Sequence, residues 1–556
     1  MRSLIYSHPA PICLWMKMSA KVFLREATGL VRELTSLDAY IMSASIISWG
    51  GAAAATVILL GLYPGSDLVI AFTLGLIPAI AFIFVYSIQT AAFPRSGGDY
   101  VWVSRIAGPY TGFTFSWMLQ FAYLFFICGV QAWFVAWVGV PSTLTALGLI
   151  LKAPYLTELS TAITSSTNIS FLVCLIVLLL GGAICILGVR VYSRIQRALW
   201  IYGMVGMAVW IGLMLMSTHE GFVSSFNSVL AGTASYEGII KAASDEGLLK
   251  PVALGATLIA TIPLSWGMYA GFNYSVYMAG ETKNVTKNVP IALVAGLFTS
   301  WIFLIGVFGL SSNIFGTDFM YAMSSLAVAG SSSYTLPFGP SLSFLVSVLT
   351  TNPVLLFLAS SSLIVWWFMI LPPLYLAGSR VIFAWAYDRL IPAKLADVND
   401  RLHSPILAIV VVIIANAFWA YMNAYQGYYL TFLNFSLLTA LGWAVPGFTA
   451  ALFPYIKKDL YKRTVGILPK TYSRRIGGVP ILTIAGLVQG IAMLFYGYSL
   501  LWPTLTFVEL SPAVTLAVEW LVGIVVVGLV YLLAVRAYRK SQGFDLSMVF
   551  GEIPPE

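Results

Sequence analysis

Twelve times along this chain a run of apolar residues recurs with hardly a charge inside it, each near the ~20 residues a helix needs to cross the hydrocarbon core of a bilayer. The runs fall at about 38–62, 67–92, 112–138, 169–188, 196–217, 252–279, 289–311, 353–383, 405–424, 428–455, 480–502 and 513–535. Hydrocarbon offers no partner to a backbone amide, so segments of this kind satisfy themselves as helices. The expected fold class is therefore an all-α polytopic membrane protein with 12 transmembrane helices. Composition agrees: 60% of residues are hydrophobic and 9% charged, against roughly 25% charged in a soluble domain.

Lysine and arginine placement orients the spans. With the N-terminus in the cytoplasm, all of the 29 basic residues except Lys152, Lys241 and Lys250 fall on the cytoplasmic side, as the positive-inside rule requires. This predicts cytoplasmic termini and an even number of spans. It also accounts for the net charge of +8 without a nucleic-acid partner. Residues 1–36 read as a cytoplasmic tail rather than a signal peptide, since no apolar run with a small-residue cleavage site precedes the first span. Residues 457–479 form a basic cytoplasmic loop and 537–556 a cytoplasmic tail. The outer connections 218–251 and 312–352 are long and rich in Ser, Gly and Thr, and are expected to be lids or solvated connectors. No connection is large enough for a catalytic domain, and no P-loop is present. The chain reads as a non-enzyme.

Metal and redox chemistry find little support. Cys13, Cys128, Cys174 and Cys185 have no metal-like spacing, and the last two lie 11 residues apart on one expected helix, roughly 16 Å at 1.5 Å per residue, too far to pair. His8, His219 and His403 lie outside the spans. No metal and no cofactor are expected.

The stretch Thr261–Pro290, TIPLSWGMYAGFNYSVYMAGETKNVTKNVP, departs from the plain apolar pattern. Ser265, Gly267, Gly271 and Asn273 leave a helix poorly supported midway, so a break is expected there. A broken helix at membrane depth is tolerated only where its freed N–H and C=O groups face protein, water or a ligand. Transporters use such breaks as binding sites. An ordinary kinked helix whose glycines serve close packing is the alternative.

Three cytoplasmic segments carry a resemblance. PRSGGDYVWVSRIAGPYTGF (Pro94–Phe113) is similar to a P-x-x-GG-x-Y segment followed by G-P-x-x-G. AGETKNVTKNVPIAL (Ala279–Leu293) is similar to E-x-K-N-P-x-x-N-x-P, with Val285 in place of the first proline. AGSRVIFAWAYDRLIP (Ala377–Pro392) is similar to S-R-x-x-x-A-x-x-x-D-G-x-x-P, with Arg389 where glycine is common. In this order among twelve spans they resemble the amino acid/polyamine/organocation (APC) superfamily of permeases. That resemblance implies a LeuT-like core: spans 1–5 (residues 37–217) repeated in inverted topology as spans 6–10 (residues 252–456), with peripheral spans 11 and 12 (residues 480–536). Ser48-Trp49-Gly50-Gly51 interrupts the first span of one half and Ser265 to Gly271 that of the other. Corresponding interruptions in two halves point to a binding site at the midplane.

The resemblance also implies site residues. Ser45, Ser48, Trp49, Gly50 and Gly51 fall where span 1 unwinds and offers backbone N–H groups to a substrate carboxylate. Trp49 is larger than the residue usual there, so the pocket is narrowed or the ring points elsewhere. Ser265, Trp266, Tyr269, Gly271 and Asn273 fall on the substrate-facing part of span 6. Gln120 and Tyr123 on span 3, and Asn434 and Ser436 on span 10, are lesser lining candidates. Helix packing is the competing explanation for each of these. Asn273 stands where a glutamate serves cationic substrates. The only acids near the spans, Asp38, Asp67, Glu509 and Glu519, sit at their ends, and ionisable groups at depth would mark a charged path. A neutral, apolar or small amino acid is therefore expected, carried by a secondary transporter in the plasma membrane, as symporter or antiporter. A polyamine or organocation carrier of the same fold, a channel and a non-transporting amino-acid sensor are the alternatives. The coupling ion, H+ or Na+, stays open. No lysine lies near Gly203 on span 5, and Ser360, Ser361 and Ser362 sit toward the outer end of span 8. Arg105, Glu281, Lys283, Arg380 and Asp388 form either a cytoplasmic gate of ion pairs or a set of solvated surface pairs, each typically worth about 0–1 kcal/mol.

Overall fold

A computed structural model describes residues 29–337, 339–426, 430–505, 512–546 and 549–550. Most of the expected tail 1–36, including Cys13 and His8, lies outside the described residues, as do Glu509 and the last part of the tail 537–556. The side chains of Tyr123 and Asn434 also lie outside them.

Among the described residues ten helices are long and apolar enough to cross a membrane: Leu68–Ala92, Ile127–Ile150, Thr167–Ile186, Val189–Leu215, Val285–Phe315, Pro353–Tyr387, Ile406–Tyr425, Ser436–Ile456, Ile481–Leu500 and Val518–Ser541. These fill ten of the expected spans. The two missing from the set are the first and the sixth, and both are missing because each is split into shorter pieces. The first comprises Ser36–Ile47 and Trp49–Leu62, joined through Ser48. The sixth comprises Leu254–Tyr269 and, after four intervening residues, the 3-10 helix Tyr274–Glu281.

The first piece of span 1 starts at a capping box: Thr35 accepts from the Asp38 amide while the Asp38 carboxylate takes the Thr35 N–H, satisfying two orphan donors at once. Glu33 and Leu34 bond to the Glu281 carbonyl and Lys283 bonds back to Leu34. The chain entering span 1 is thus laced to the end of span 6. Ser36–Ile47 packs against Tyr274–Glu281 and along Val285–Phe315, whereas Trp49–Leu62 packs against Leu254–Tyr269 and Thr317–Val328. The two split rods therefore run side by side, half against half, with their breaks at corresponding positions.

The long connections 218–251 and 312–352 carry helices, His219–Val229 and Tyr236–Asp245 in one, Thr317–Val328 and Leu342–Ser347 in the other. Apolar faces hidden between the polar residues explain this, since Phe222, Phe226 and Tyr236 are buried against Phe315 and Phe319. Span 3 continues past residue 138 to Ile150, with π turns at Gln120–Leu124 and Val135–Gly139. The second π turn lies directly before the helix that carries Pro141 in its first turn, where the missing proline N–H breaks no ladder bond.

Candidate functional site

Span 1 turns at a single residue. Ser48 adopts φ 54°, ψ 68°, the left-handed region that costs a non-glycine residue energy and is held only by its surroundings. Its hydroxyl does not cap the helix that follows. It donates instead to the Trp366 carbonyl of span 8 at 2.7 Å. The first-turn N–H groups of Trp49, Gly50 and Gly51 therefore start a half-helix with no side-chain cap, the arrangement that receives an anion.

Span 8 can supply that carbonyl because it is interrupted too. Its helix runs over Pro353–Phe368 and resumes over Leu371–Tyr387. Pro372 and Pro373 have no N–H to give, which frees carbonyls one turn earlier. Gln196 of span 5 donates to the Met369 carbonyl at 2.9 Å. The Pro-Pro pair was the sequence signal for this third interruption, and reading the span for hydroxyls alone missed it.

In span 6 the helix ends at Tyr269, and Gly271 takes φ 95°, a value glycine adopts without strain. The last carbonyls of Leu254–Tyr269 form the partly negative end of a half-helix. Beyond it Asn273 is completely buried, with neither end of its amide hydrogen-bonded; Ser45 Oγ and Trp266 Nε1 are likewise buried without partners. Unpaired buried polar groups of this kind cost about 1–3 kcal/mol each unless something supplies the missing bond. Ser43 Oγ donates to Ser275 Oγ at 3.0 Å, fastening the first piece of span 1 to the second piece of span 6.

The remaining expected site residues disperse. The Trp49 ring points away from span 6: its Nε1 donates to Ser300 Oγ at 2.7 Å, and it lies among Trp200, Phe303 and Trp366. Gly50 and Gly51 are needed for close approach, because a Cβ on Gly50 would lie 2.9 Å from Trp366 Cγ and one on Gly51 2.7 Å from Trp367 Cδ1. Trp366 also fills the space beside Gly203, where a Cβ would be 3.0 Å from its ring. Ser265 bonds to the Thr261 carbonyl and abuts Gly75 of span 2, and Tyr269 donates to the Phe72 carbonyl at 3.0 Å. Trp266 packs on Phe82 and Trp443, at 4.2 and 5.7 Å between ring centroids. Gln120 donates to the Gly378 carbonyl, leaving its own carbonyl oxygen buried without a partner. Ser436 is buried beside Tyr496. Ser360 and Ser362 bond to carbonyls of their own helix, while Ser361 also meets Tyr202.

At the basic end of the molecule the charged residues converge. Arg105 forks onto Asp388 at 2.7 and 2.8 Å, with Tyr100 adding a third bond to that carboxylate. Arg380 forks onto Glu281 at 2.7 and 2.8 Å. All four charged side chains are at most 4% exposed, so the solvated-pair alternative does not hold for them. Lys283 is exposed and stands apart from this junction.

A family model described as "Amino acid permease" matches residues 34–530, which takes in both split helices and all three motif segments. The chain belongs to the amino acid permease family. It is a transporter rather than an enzyme. This permease is also 23% identical, over 372 residues, to the branched-chain amino acid permease BcaP of Lactococcus lactis subsp. cremoris (strain MG1363), covering 65% of this chain and 68% of that protein. Sequence reasoning about the permease missed Phe82, Tyr86, Trp366 and Trp443. Each lies in an apolar run, where an aromatic residue turned toward the protein interior carries no mark that separates it from one facing lipid.

Proposed function

We propose that this permease is a secondary transporter of neutral, apolar amino acids, working by alternating access in the cytoplasmic membrane. Its frame is read as twelve spans, five repeated in inverted topology plus two, with the basic face in the cytoplasm. In this reading the zwitterion lies between the two breaks. Its carboxylate meets the first-turn N–H groups of Trp49, Gly50 and Gly51, and its ammonium the partly negative carbonyl end of Leu254–Tyr269. Ser45, Trp266 and Asn273 are proposed to line the site, while Ser265, Tyr269 and Gln120 are proposed to hold the surrounding helices.

The observation that carries this reading is the pair of breaks lying side by side with opposed half-helix ends and buried unpartnered polar groups around them. Asn273 supports neutral selectivity, since a buried amide gives a cationic side chain no counter-charge. The Lactococcus relative's branched-chain substrates agree with an apolar side chain. The two buried ion pairs are proposed as the cytoplasmic gate. Counterflow of labelled leucine in proteoliposomes tests the reading: saturable exchange competed by isoleucine and valine but not by arginine or putrescine is expected. Preferred uptake of a cation would overturn the specificity, and non-saturating flux would overturn the carrier mechanism.

A further inference from the structure

A buried acid near the gate takes no part in the site described above. Asp99 opens the short helix Asp99–Ile106 and is 2% exposed. Its carboxylate accepts from Tyr277 Oη at 2.8 Å and Tyr86 Oη at 3.2 Å, with backbone amides of Asp99 and Tyr100 adding weaker support. Among the described residues it has no cationic partner. The nearby cations are committed elsewhere, Arg105 to Asp388 and Arg380 to Glu281. These two buried pairs are each balanced within themselves, and an isolated ionised carboxylate in such a place costs far more than a neutral one.

The groups around Asp99 on each neighbouring element are few. Span 2 contributes Tyr86, and the 3-10 helix of span 6 contributes Tyr277, Tyr274 and Glu281. Span 8 contributes Asp388, bonded to Tyr100 and Arg105 of Asp99's own helix, and Arg380, whose backbone approaches Gly97; the preceding turn carries Arg95, and the packed helices Pro109–Leu119 and Leu430–Ile456 carry the exposed Tyr110 and Tyr455. Burial pushes the Asp99 carboxyl up to about 7, against the tyrosine hydrogen bonds, which hold it down.

We propose that Asp99 is a proton-binding site that couples amino-acid transport to proton movement, an inference that rests on the transport reading above. Asp99 is held from two sides, by Tyr86 on span 2 and Tyr277 on span 6, and the turn before it is bonded across the same seam by Gly97 N–H to the Tyr277 carbonyl. Closing the cytoplasmic side buries the carboxyl and favours its protonated form. Opening parts Asp99 from Tyr277 and admits water, which favours the carboxylate and releases the proton to the cytoplasm. Tyr277 stacks on Tyr274 at 5.0 Å between ring centroids, and their 3-10 helix begins directly after Asn273, so the acid's partner is carried by the piece of span 6 that starts at the break. The step is a reversible proton transfer between water and Asp99 Oδ.

The test uses full-length protein in proteoliposomes. Leucine counterflow at equal pH reads transport, and net accumulation under an outside-acid gradient reads coupling. The unmodified protein is expected to accumulate leucine under the gradient, and Asp99→Asn to lose that accumulation while keeping counterflow. Tyr277→Phe, which removes a hydrogen bond from the carboxylate, should move the pH midpoint of uptake upward. Infrared difference spectra should show a protonated-carboxyl band that titrates near neutral pH and is absent from Asp99→Asn. Gradient-driven accumulation by Asp99→Asn equal to that of the unmodified protein would overturn the proposal. If that variant fails to fold, an unmoved midpoint in Tyr277→Phe, or no titrating band in the unmodified protein, would do so instead. Counterflow without any gradient response overturns the proton site alone, whereas absent counterflow overturns the transport reading together with it.

Discussion

The Arg380–Glu281 pair offers the sharpest energetic test of the proposed gate. Its two side chains are 0% and 1% exposed and share two hydrogen bonds at 2.7 and 2.8 Å. Neither charge is solvated, so removing one leaves the other buried and uncompensated, a loss of about 3–5 kcal/mol. Glu281→Gln and Arg380→Met are each expected to lower stability by about that amount. The double variant, which leaves no buried charge, should recover most of it, because replacing a buried pair by neutral groups is often near-neutral. Thermal unfolding of detergent-solubilised protein, followed by size-exclusion chromatography, closes the double-mutant cycle. A coupling of several kcal/mol is predicted, and the double variant should show faster labelling of cysteines placed on the cytoplasmic side. Additive losses, with the double variant twice as damaged as either single, would refute the argument. So would a loss under 1 kcal/mol in both singles, the signature of a solvated pair.

Other expectations follow from single contacts. Gly50→Ala drives a methyl into the Trp366 indole, so a destabilisation of about 1–3 kcal/mol is expected; thermal shift should detect it, and Trp366→Leu in the same chain should relieve part of it. Asn273→Asp puts a carboxylate beside the span 6 break and should raise competition by lysine or arginine against leucine uptake, read as a change in inhibition constants. Asp99 binds protons more tightly in the folded protein, with its carboxyl raised from 3.8 to about 7. Between those values the folded form holds more protons than the unfolded one, so the contribution of this group to stability falls as pH rises. Thermal melts from pH 4 to 7 should therefore decline more steeply for the unmodified protein than for Asp99→Asn.

Much of the architecture was legible in the sequence, because each span had to be apolar over a fixed length and each break needed residues that helices carry poorly. Ser48 and Gly271 hold the left-handed conformations at the interruptions, and four of the five charged motif residues meet as two buried pairs, Arg105–Asp388 and Arg380–Glu281. The directions of the side chains were not legible. Trp49 turns toward spans 5, 7 and 8 because Ser300 and the Trp200–Phe303–Trp366 cluster receive it, and nothing in the local pattern Ser-Trp-Gly-Gly encodes those partners. Asp99 went unremarked for a related reason. On the sequence it lies in a polar turn, and only the folding of Tyr86 and Tyr277 over it makes it a buried acid.

The central claim is that backbone ends at the two breaks hold both charges of a zwitterion. Competition against leucine uptake by two analogues tests it most directly: leucinamide, which lacks the carboxylate, and 4-methylpentanoate, which lacks the amine. Each keeps the apolar side chain, and the account predicts that each loses nearly all inhibition, whereas isoleucine retains it. Inhibition by leucinamide equal to that by leucine would contradict the role given to the amides of Trp49, Gly50 and Gly51.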